Sequence, residues 1–143
     1  MSTEENKALV RRYTQEVFNA HNPDRTQEFV AGNVVSHNLP PGMPSGVEGI
    51  KQMTHMFVSA FPDLHLTIED VIAEGDKVVE RWTGTGTQQG AFAGIPPTGK
   101  RVTTTGIDIF RIANGKVVEH WSNSNDLGVF QQLGVIPPME QAS

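Results

Sequence analysis

An Asn-Gly pair at positions 114 and 115 is the feature that most constrains how this chain can fold. Asn and Gly both tolerate the positive φ angles that the two-residue turn of a β-hairpin requires. β-prone runs flank the pair on both sides, over 101–112 and 116–124. A third run, over 77–88, follows another β-prone stretch across the turn Glu74-Gly75-Asp76. The second part of the chain is therefore predicted to form a meander of long antiparallel strands.

The first part of the chain is predicted to be mainly helical. Ser2 and Glu5 have the spacing of a capping box, and apolar residues recur behind them at helical intervals. The predicted elements are a first helix that ends at Asn22-Pro23, a short helix over 23–30 that stops at Gly32, a brief strand over 34–38, a loop over 39–46, a helix over 47–60, a last helix between Asp126 and Gly134, and a loose tail over 137–143. Helices before a meander predict an α+β fold, in which helices cover one face of a curved sheet and close it into a cone.

Composition narrows the classes of function. The chain has 143 residues, of which 37% are hydrophobic, and this suits one compact domain over 1–143. A net charge of -5 without a Lys/Arg cluster argues against nucleic-acid and membrane-surface binding. The absence of Cys excludes disulfides and thiolate chemistry. The polar, acidic N-terminal stretch is not typical of a signal peptide, so we expect a soluble, cytoplasmic protein.

Asp108 is the most informative residue of the predicted sheet. Strand alternation places it on the same face as Phe110 and Ile112, inside the expected cone. Burial of a carboxylate is costly, and it raises the pKa of the group towards the range useful for general acid/base catalysis. The structural alternative is an ion pair with Arg81 or Arg111, or exposure on the sheet.

Two histidines are further candidates for catalysis. His120 shares a strand face with Val118 and Ser122, where it would act as a base or orient Asp108; otherwise it is a half-exposed strand residue with one hydrogen bond. His37 precedes the proline-rich loop and is expected at the rim of the pocket, or else is a polar strand end. The opposite face of the last strand is predicted to carry Val117, Glu119, Trp121 and Asn123.

Aromatic residues are predicted to line a largely apolar cavity at the mouth of the cone. The simpler interpretation is that they form the core. No pair of His or carboxylate residues has the spacing of a metal site, so we expect no metal. The aromatic residues considered are Tyr13, Phe18, Trp82, Phe92 and Phe110.

Several stretches together resemble the SnoaL-like polyketide cyclase family of the nuclear transport factor 2-like (NTF2-like) superfamily. The resemblance covers nearly the whole chain and implies an α+β cone with a curved antiparallel sheet. It also implies an ester cyclase that closes a ring by intramolecular aldol condensation without cofactor or metal, and a homo-oligomer, either dimer or tetramer. The stretches are Phe61-Pro62-Asp63, Glu74 to Val78, Gly94 to Gly99, Arg111-Ile112, Gly115 to Glu119 and Gln131 to Gly134.

The resemblance also assigns positions in the site. The Asp that is the proposed acid/base of the family's cyclases falls on Ser122, and a frequent family His falls on Gln88. Another family His falls on Asp108, whereas His120 keeps an equivalent residue type. Because serine cannot replace a carboxylate base, we hypothesise that Asp108 is the base across the hairpin and that His120 is its partner.

Three hypotheses on function follow. The resemblance, together with Asp108 and His120, implies a cofactor-independent cyclase or isomerase-type lyase that acts on a small hydrophobic molecule, polyketide-like or terpenoid-like. It also implies dehydration and epoxide hydrolysis as related alternatives. Ser122 at the family's Asp position favours instead a ligand-binding protein without catalysis. Under either hypothesis, the residues predicted to contact the ligand are Ser122, Trp82, Gln88, Phe110, Tyr13 and Phe18. The third hypothesis is an oligomerisation module whose cone is filled by its own side chains.

Overall fold

The computed structural model describes residues 2–137 and contains three α-helices and five strands within that range. The six residues of the predicted tail after Pro137 lie outside the described residues. The elements are α1 (Thr3–Tyr13), which continues as a π-helical segment (Thr14–Asn19), a 3-10 helix (Pro23–Glu28), β1 (Val30–Ser36), α2 (Val47–Ala60), β2 (His65–Glu74), β3 (Lys77–Thr87), β4 (Arg101–Ala113), β5 (Lys116–Ser124) and α3 (Asp126–Leu133).

The strands form one five-stranded sheet in the order β1-β5-β4-β3-β2. β2 to β5 are the predicted antiparallel meander, and β1 is added parallel to β5 at the far edge. The first helix begins with the predicted capping box, since Ser2 and Glu5 exchange both hydrogen bonds. The α+β architecture is therefore confirmed. None of the described helices is long and apolar enough to cross a membrane.

The start of β1 differs from the prediction. The second helix is a 3-10 helix that ends at Glu28, and the strand begins at Val30 and includes Gly32. Val30 is almost fully buried and pairs with Val117, so the burial gained in the sheet outweighs the local tendency of glycine to end an element.

A β-bulge in β5 makes the predicted alternation wrong for one residue. Arg111 pairs with Glu119, but Ile112 pairs with Val117, so Val118 is an extra residue in β5. Val117 therefore lies on the same face as His120 instead of the predicted opposite face. It is in the core, with 1% of its surface exposed.

The main core lies between the inner face of the sheet and the first helix. Tyr13 occupies its centre, with its ring 5.9 Å from the ring of Phe29 and 6.1 Å from that of Phe110. A second, smaller core lies under α3, with Phe61 and Leu133 among its members. Inner residues of β3, β4 and β5 belong to the main core, whereas Val102 of β4 belongs to the second.

Candidate active site

Asp108 lies at the centre of a hydrogen-bonded cluster on the inner face of β4. Its Oδ1 accepts bonds from Ser122 Oγ at 2.7 Å and from Trp82 Nε1 at 3.1 Å, and its Oδ2 is 2.9 Å from His120 Nε2. A carboxylate can accept all three bonds at once, whereas a protonated carboxyl would need one oxygen as a donor. The structural alternative of an ion pair with arginine is wrong, since Arg81 pairs with Asp70 and Arg111 with Glu119.

His120 is oriented by contacts on both sides of its ring. The ring stacks on Phe110 with centroids 4.9 Å apart, and its Nε2 hydrogen bond to Asp108 places the proton of a neutral imidazole on that nitrogen. Its Nδ1 then keeps a lone pair and lies 3.4 Å from Ser36 Oγ on β1. The side chains of His120 and Asp108 are 10% and 17% exposed, so the pair is shielded but reachable from solvent.

Strand register explains why these residues meet. Asp108 is the cross-strand partner of Ser122, and Phe110 is the partner of His120, so the two pairs form adjacent rows on the inner face. The bulge at Val118 lies just before His120 and leaves these two rows in register. The predicted cluster of Asp108, His120 and Ser122 is therefore present in the structure.

Trp82 is positioned by a glycine on the neighbouring strand. Gly106 is its cross-strand partner, and a Cβ atom at Gly106 would overlap the indole ring. The missing side chain at Gly106 therefore gives the indole the space it needs to lie across β4 and donate its N–H to Asp108.

Glu80 is the site residue that sequence reasoning missed. It is 2% exposed, pairs with Asp108 across β3 and β4, and accepts hydrogen bonds from Thr14 Oγ1 at 2.8 and 3.1 Å. Burial raises the pKa of the Glu80 carboxyl to about 7; the Thr14 bond opposes this shift and the charge of Asp108 reinforces it. The signal in the sequence was its parity with Val78 and Trp82, which places it on the inner face.

Tyr13 and Phe18 lie in the core, which is the simpler of the two interpretations given above. Tyr13 is 5% exposed, and burial raises the pKa of its hydroxyl, an effect that the charges of Asp108 and Glu80 reinforce. Phe18 is half-buried and meets the Tyr13 ring edge-on at 5.6 Å. Both rings belong to the packing behind the cluster, together with Phe110.

Two predicted site residues lie apart from the cluster. His37 is on the outer face, where its Nε2 is 2.8 Å from Glu119 Oε2 and its ring stacks on Trp121. Gln88 is fully buried and holds the loop after β3, because its side chain bonds Gly90, Ile95 and Thr98. His37 is therefore remote from Asp108, and the amide of Gln88 is already occupied.

Among the clefts on the surface of residues 2–137 are two that are not lined by Asp108, Glu80 or His120. One, of about 670 Å³, lies between Thr3, Asn6 and the turns of the two hairpins. The other, of about 720 Å³, lies between α2 and the loop that carries Phe92. Within residues 2–137, no three His, Asp or Glu side chains come together as metal ligands.

The fold and site define a class of protein, the NTF2-like α+β cone with titratable residues on its inner face. The model of the SnoaL-like polyketide cyclase family matches residues 8–133, and the chain belongs to this family. A search of curated proteins found no match.

Solved structures give the same result. The structure of TsrD from Streptomyces laurentii is 31% identical, with 95% of this chain and 99% of that chain covered and a TM-score of 0.87. AclR, a putative hydroxylase from Streptomyces galilaeus, is 30% identical, with 98% and 87% covered and a TM-score of 0.86. IdmH, a putative polyketide cyclase from Streptomyces antibioticus, is 30% identical, with 91% and 99% covered and a TM-score of 0.77.

Proposed function

We propose that this chain catalyses proton transfer at a carbon next to the carbonyl group of a small hydrophobic molecule, polyketide-like or terpenoid-like. The observation that carries the proposal is the 2.9 Å contact between Asp108 and His120 in a shielded position on the inner face. An aldol-type ring closure and an isomerisation both begin with such a step. Because one similar structure is described as a putative hydroxylase and another as a putative polyketide cyclase, the proposal is limited to the shared step.

Asp108 and His120 act as one acid/base unit. The pair removes a proton from the carbon next to the carbonyl and returns it to the oxygen or carbon that becomes basic later in the reaction. Ser122 and Trp82 hold Oδ1 of Asp108, so the carboxylate needs no reorganisation before the reaction.

Hydrogen–deuterium exchange tests the proposal without knowledge of the natural substrate. α-Tetralone in deuterium oxide is expected to exchange its α-hydrogens faster with the wild type than in buffer, as followed by proton NMR. Asp108→Asn should reduce the enzymatic exchange rate by about 100-fold or more. Asp126→Asn is the matched control, because Asp126 lies at the start of α3 and accepts a bond from Ser124. An exchange rate in Asp108→Asn equal to that of the wild type would contradict the proposal.

The second candidate is ligand binding without catalysis. It is favoured by Ser122, which stands where the resemblance places the carboxylate base and whose hydroxyl is committed to Asp108. Binding of α-tetralone that quenches Trp82 fluorescence, with no acceleration of exchange in the wild type, would support this candidate over catalysis. Trp121→Phe protein would isolate the Trp82 signal.

We also propose that the partner of the outer face is a second copy of this chain. Ile72, Val79, Ile109 and Trp121 are successive cross-strand partners and form an apolar row across four strands of that face. Ile72 is 64% exposed, and nearby Ile107 is 48% exposed. Light scattering should show a homodimer or tetramer that Ile72→Asp weakens, whereas a monomeric wild type would contradict this.

A further inference from the structure

Glu80 is a buried carboxyl group that the proposed proton transfer does not use. Its side chain is enclosed by Thr14 from the π-helical segment, by Val71 as its partner on β2, and by Asp108 as its partner on β4. Directly opposed residues of an antiparallel pair have Cβ atoms about 4.5–5.5 Å apart. Two carboxyl groups therefore lie side by side, one shielded from solvent and one facing the cluster.

The π-helical turn supplies the hydroxyl that holds Glu80. α1 ends at Tyr13, and the wider turn runs from Thr14 to Asn19. π-Helical turns are rare and occur frequently at functional sites. Here the turn starts at the residue whose Oγ1 donates to both oxygens of Glu80, and Thr14 is itself 2% exposed. This bond fixes Glu80, and no ion pair within residues 2–137 includes its carboxyl group.

We propose that Glu80 is a positioning residue of the proposed site: held by Thr14 and paired across the strands with Asp108, it controls the charge behind the Asp108–His120 pair by gaining or losing its own proton. This inference rests on the proposed function. It adds a means of regulation by pH. When Glu80 loses its proton, a second negative charge appears opposite Asp108 and changes the electrostatic potential at the Asp108–His120 pair.

The surrounding charges agree with this assignment. Arg11 from α1 lowers the pKa of Glu80 and Asp108 from β4 raises it, while β2 contributes the apolar Val71. Burial is the largest cause and raises the pKa to about 7, so the proton is released within the range in which cells operate. Tyr13 faces both carboxyl groups and is neutral in this range, since its own pKa is raised.

The indole N–H of Trp82 is the reporter for the test, because it donates to Asp108 and is observed without turnover. In wild-type protein, its nitrogen and proton shifts should show a step with a midpoint near the Glu80 value of about 7. Glu80→Gln should abolish this step. Glu69→Gln is the matched control, since Glu69 also accepts a threonine hydroxyl, that of Thr83, but is exposed. An unchanged step in Glu80→Gln would assign it to another group and overturn the proposal.

A second pair of variants guards against a folding defect at Glu80. Thr14→Val removes the donor and should move the midpoint of the Trp82 step upwards, whereas Thr14→Ser keeps the donor and the midpoint. In the exchange assay, the ratio of wild-type to Glu80→Gln rate constants should change at least threefold between about pH 6 and pH 8. A merely structural role would give a constant ratio, which would contradict the proposal. Failure of the proposed function would be seen separately, as full exchange by Asp108→Asn. The Trp82 step is measured without turnover and so does not depend on catalysis.

Discussion

The two faces of β5 carry two histidine–carboxylate pairs with nearly the same contact distance. On the inner face, His120 lies 2.9 Å from Asp108; on the outer face, His37 lies 2.8 Å from Glu119. The inner side chains are 10% and 17% exposed, whereas His37 is 42% exposed. A contact between histidine and carboxylate therefore does not define an active site, because the surroundings decide what it can do.

The other partners of the two carboxylates differ in charge. Asp108 accepts its remaining bonds from neutral donors, Ser122 and Trp82. Glu119 is shared by His37 and Arg111, and these hydrogen bonds lower the pKa of the Glu119 carboxyl. The outer pair is thus part of an ion-pair network at the surface, which contributes little free energy. The inner pair, by contrast, has neutral hydrogen-bond partners and is shielded from solvent.

The largest expected difference between the faces is in catalysis. His120→Asn should reduce α-hydrogen exchange by about 100-fold or more, because it removes the partner that shares the proton with Asp108. His37→Asn should change the rate less than about twofold, since its neighbours are Glu119 and Trp121 on the outer face. Equal losses in the two variants, at unchanged thermal stability, would show that the faces are not functionally distinct.

The next difference is in the pH dependence of stability. The pKa of Glu80 rises from its ordinary value of 4.5 to about 7 on folding, which corresponds to roughly 3 kcal/mol. The unfolded chain ionises first, so the free energy of unfolding should fall as pH rises from 4.5 to about 7 and then stay level. Urea unfolding over this range should show the slope in the wild type and not in Glu80→Gln.

Glu119 should give the opposite slope. Its pKa is lowered on folding, so its stabilisation is present above the ordinary value of 4.5 and is lost as pH falls through the lowered pKa. Glu119→Gln should therefore flatten the acid side of the same curve. A wild-type slope of the same sign in both ranges would contradict the contrast between the two carboxyl groups.

A smaller effect is expected from the glycine that accommodates Trp82. Gly106→Ala would place a methyl group within the indole ring, and overpacking of this kind costs about 1–3 kcal/mol. The displaced indole should lose its bond to Asp108, with a shift of the Trp82 N–H resonance. Gly84→Ala is the milder control, since its Cβ would meet Leu66 at 3.0 Å and Trp82 at 3.1 Å. An unchanged Trp82 resonance in Gly106→Ala would be the contrary result.

The smallest effect is expected at the serines of β5. Ser122→Ala removes one donor to Asp108, and a hydrogen bond of this kind is worth about 1 kcal/mol, or roughly fivefold in the exchange rate. Ser124→Ala removes a bond to exposed Asp126 and should leave the rate unchanged. Comparison of the two rate constants at one pH is sufficient, and a loss in Ser124→Ala alone would contradict the assignment.

The sequence predicts the hairpins, the helices and the meeting of Asp108 with His120, because turn chemistry and strand alternation are local rules. It does not predict the bulge at Val118, since a bulge depends on how β4 and β5 pair. It also misses Glu80, because an isolated glutamate in a strand is normally exposed and only the packing of Thr14 shows otherwise. The neighbouring loop predicts His37 at the pocket, but the side chain lies on the outer face against Glu119 and Trp121.

The bulge in β5 determines which residues on either side of it face the core. Val117 before it and His120 after it are three residues apart, yet both point inwards. Because this spacing is an odd number, strict alternation over the same residues without a bulge would put one of them outwards: either Val117 would leave the core or His120 would exchange places with Trp121. Deletion of Val118 would leave Val117 and His120 both facing inwards in a regular strand, so the bulge lets β5 contain one extra residue without turning His120 outwards.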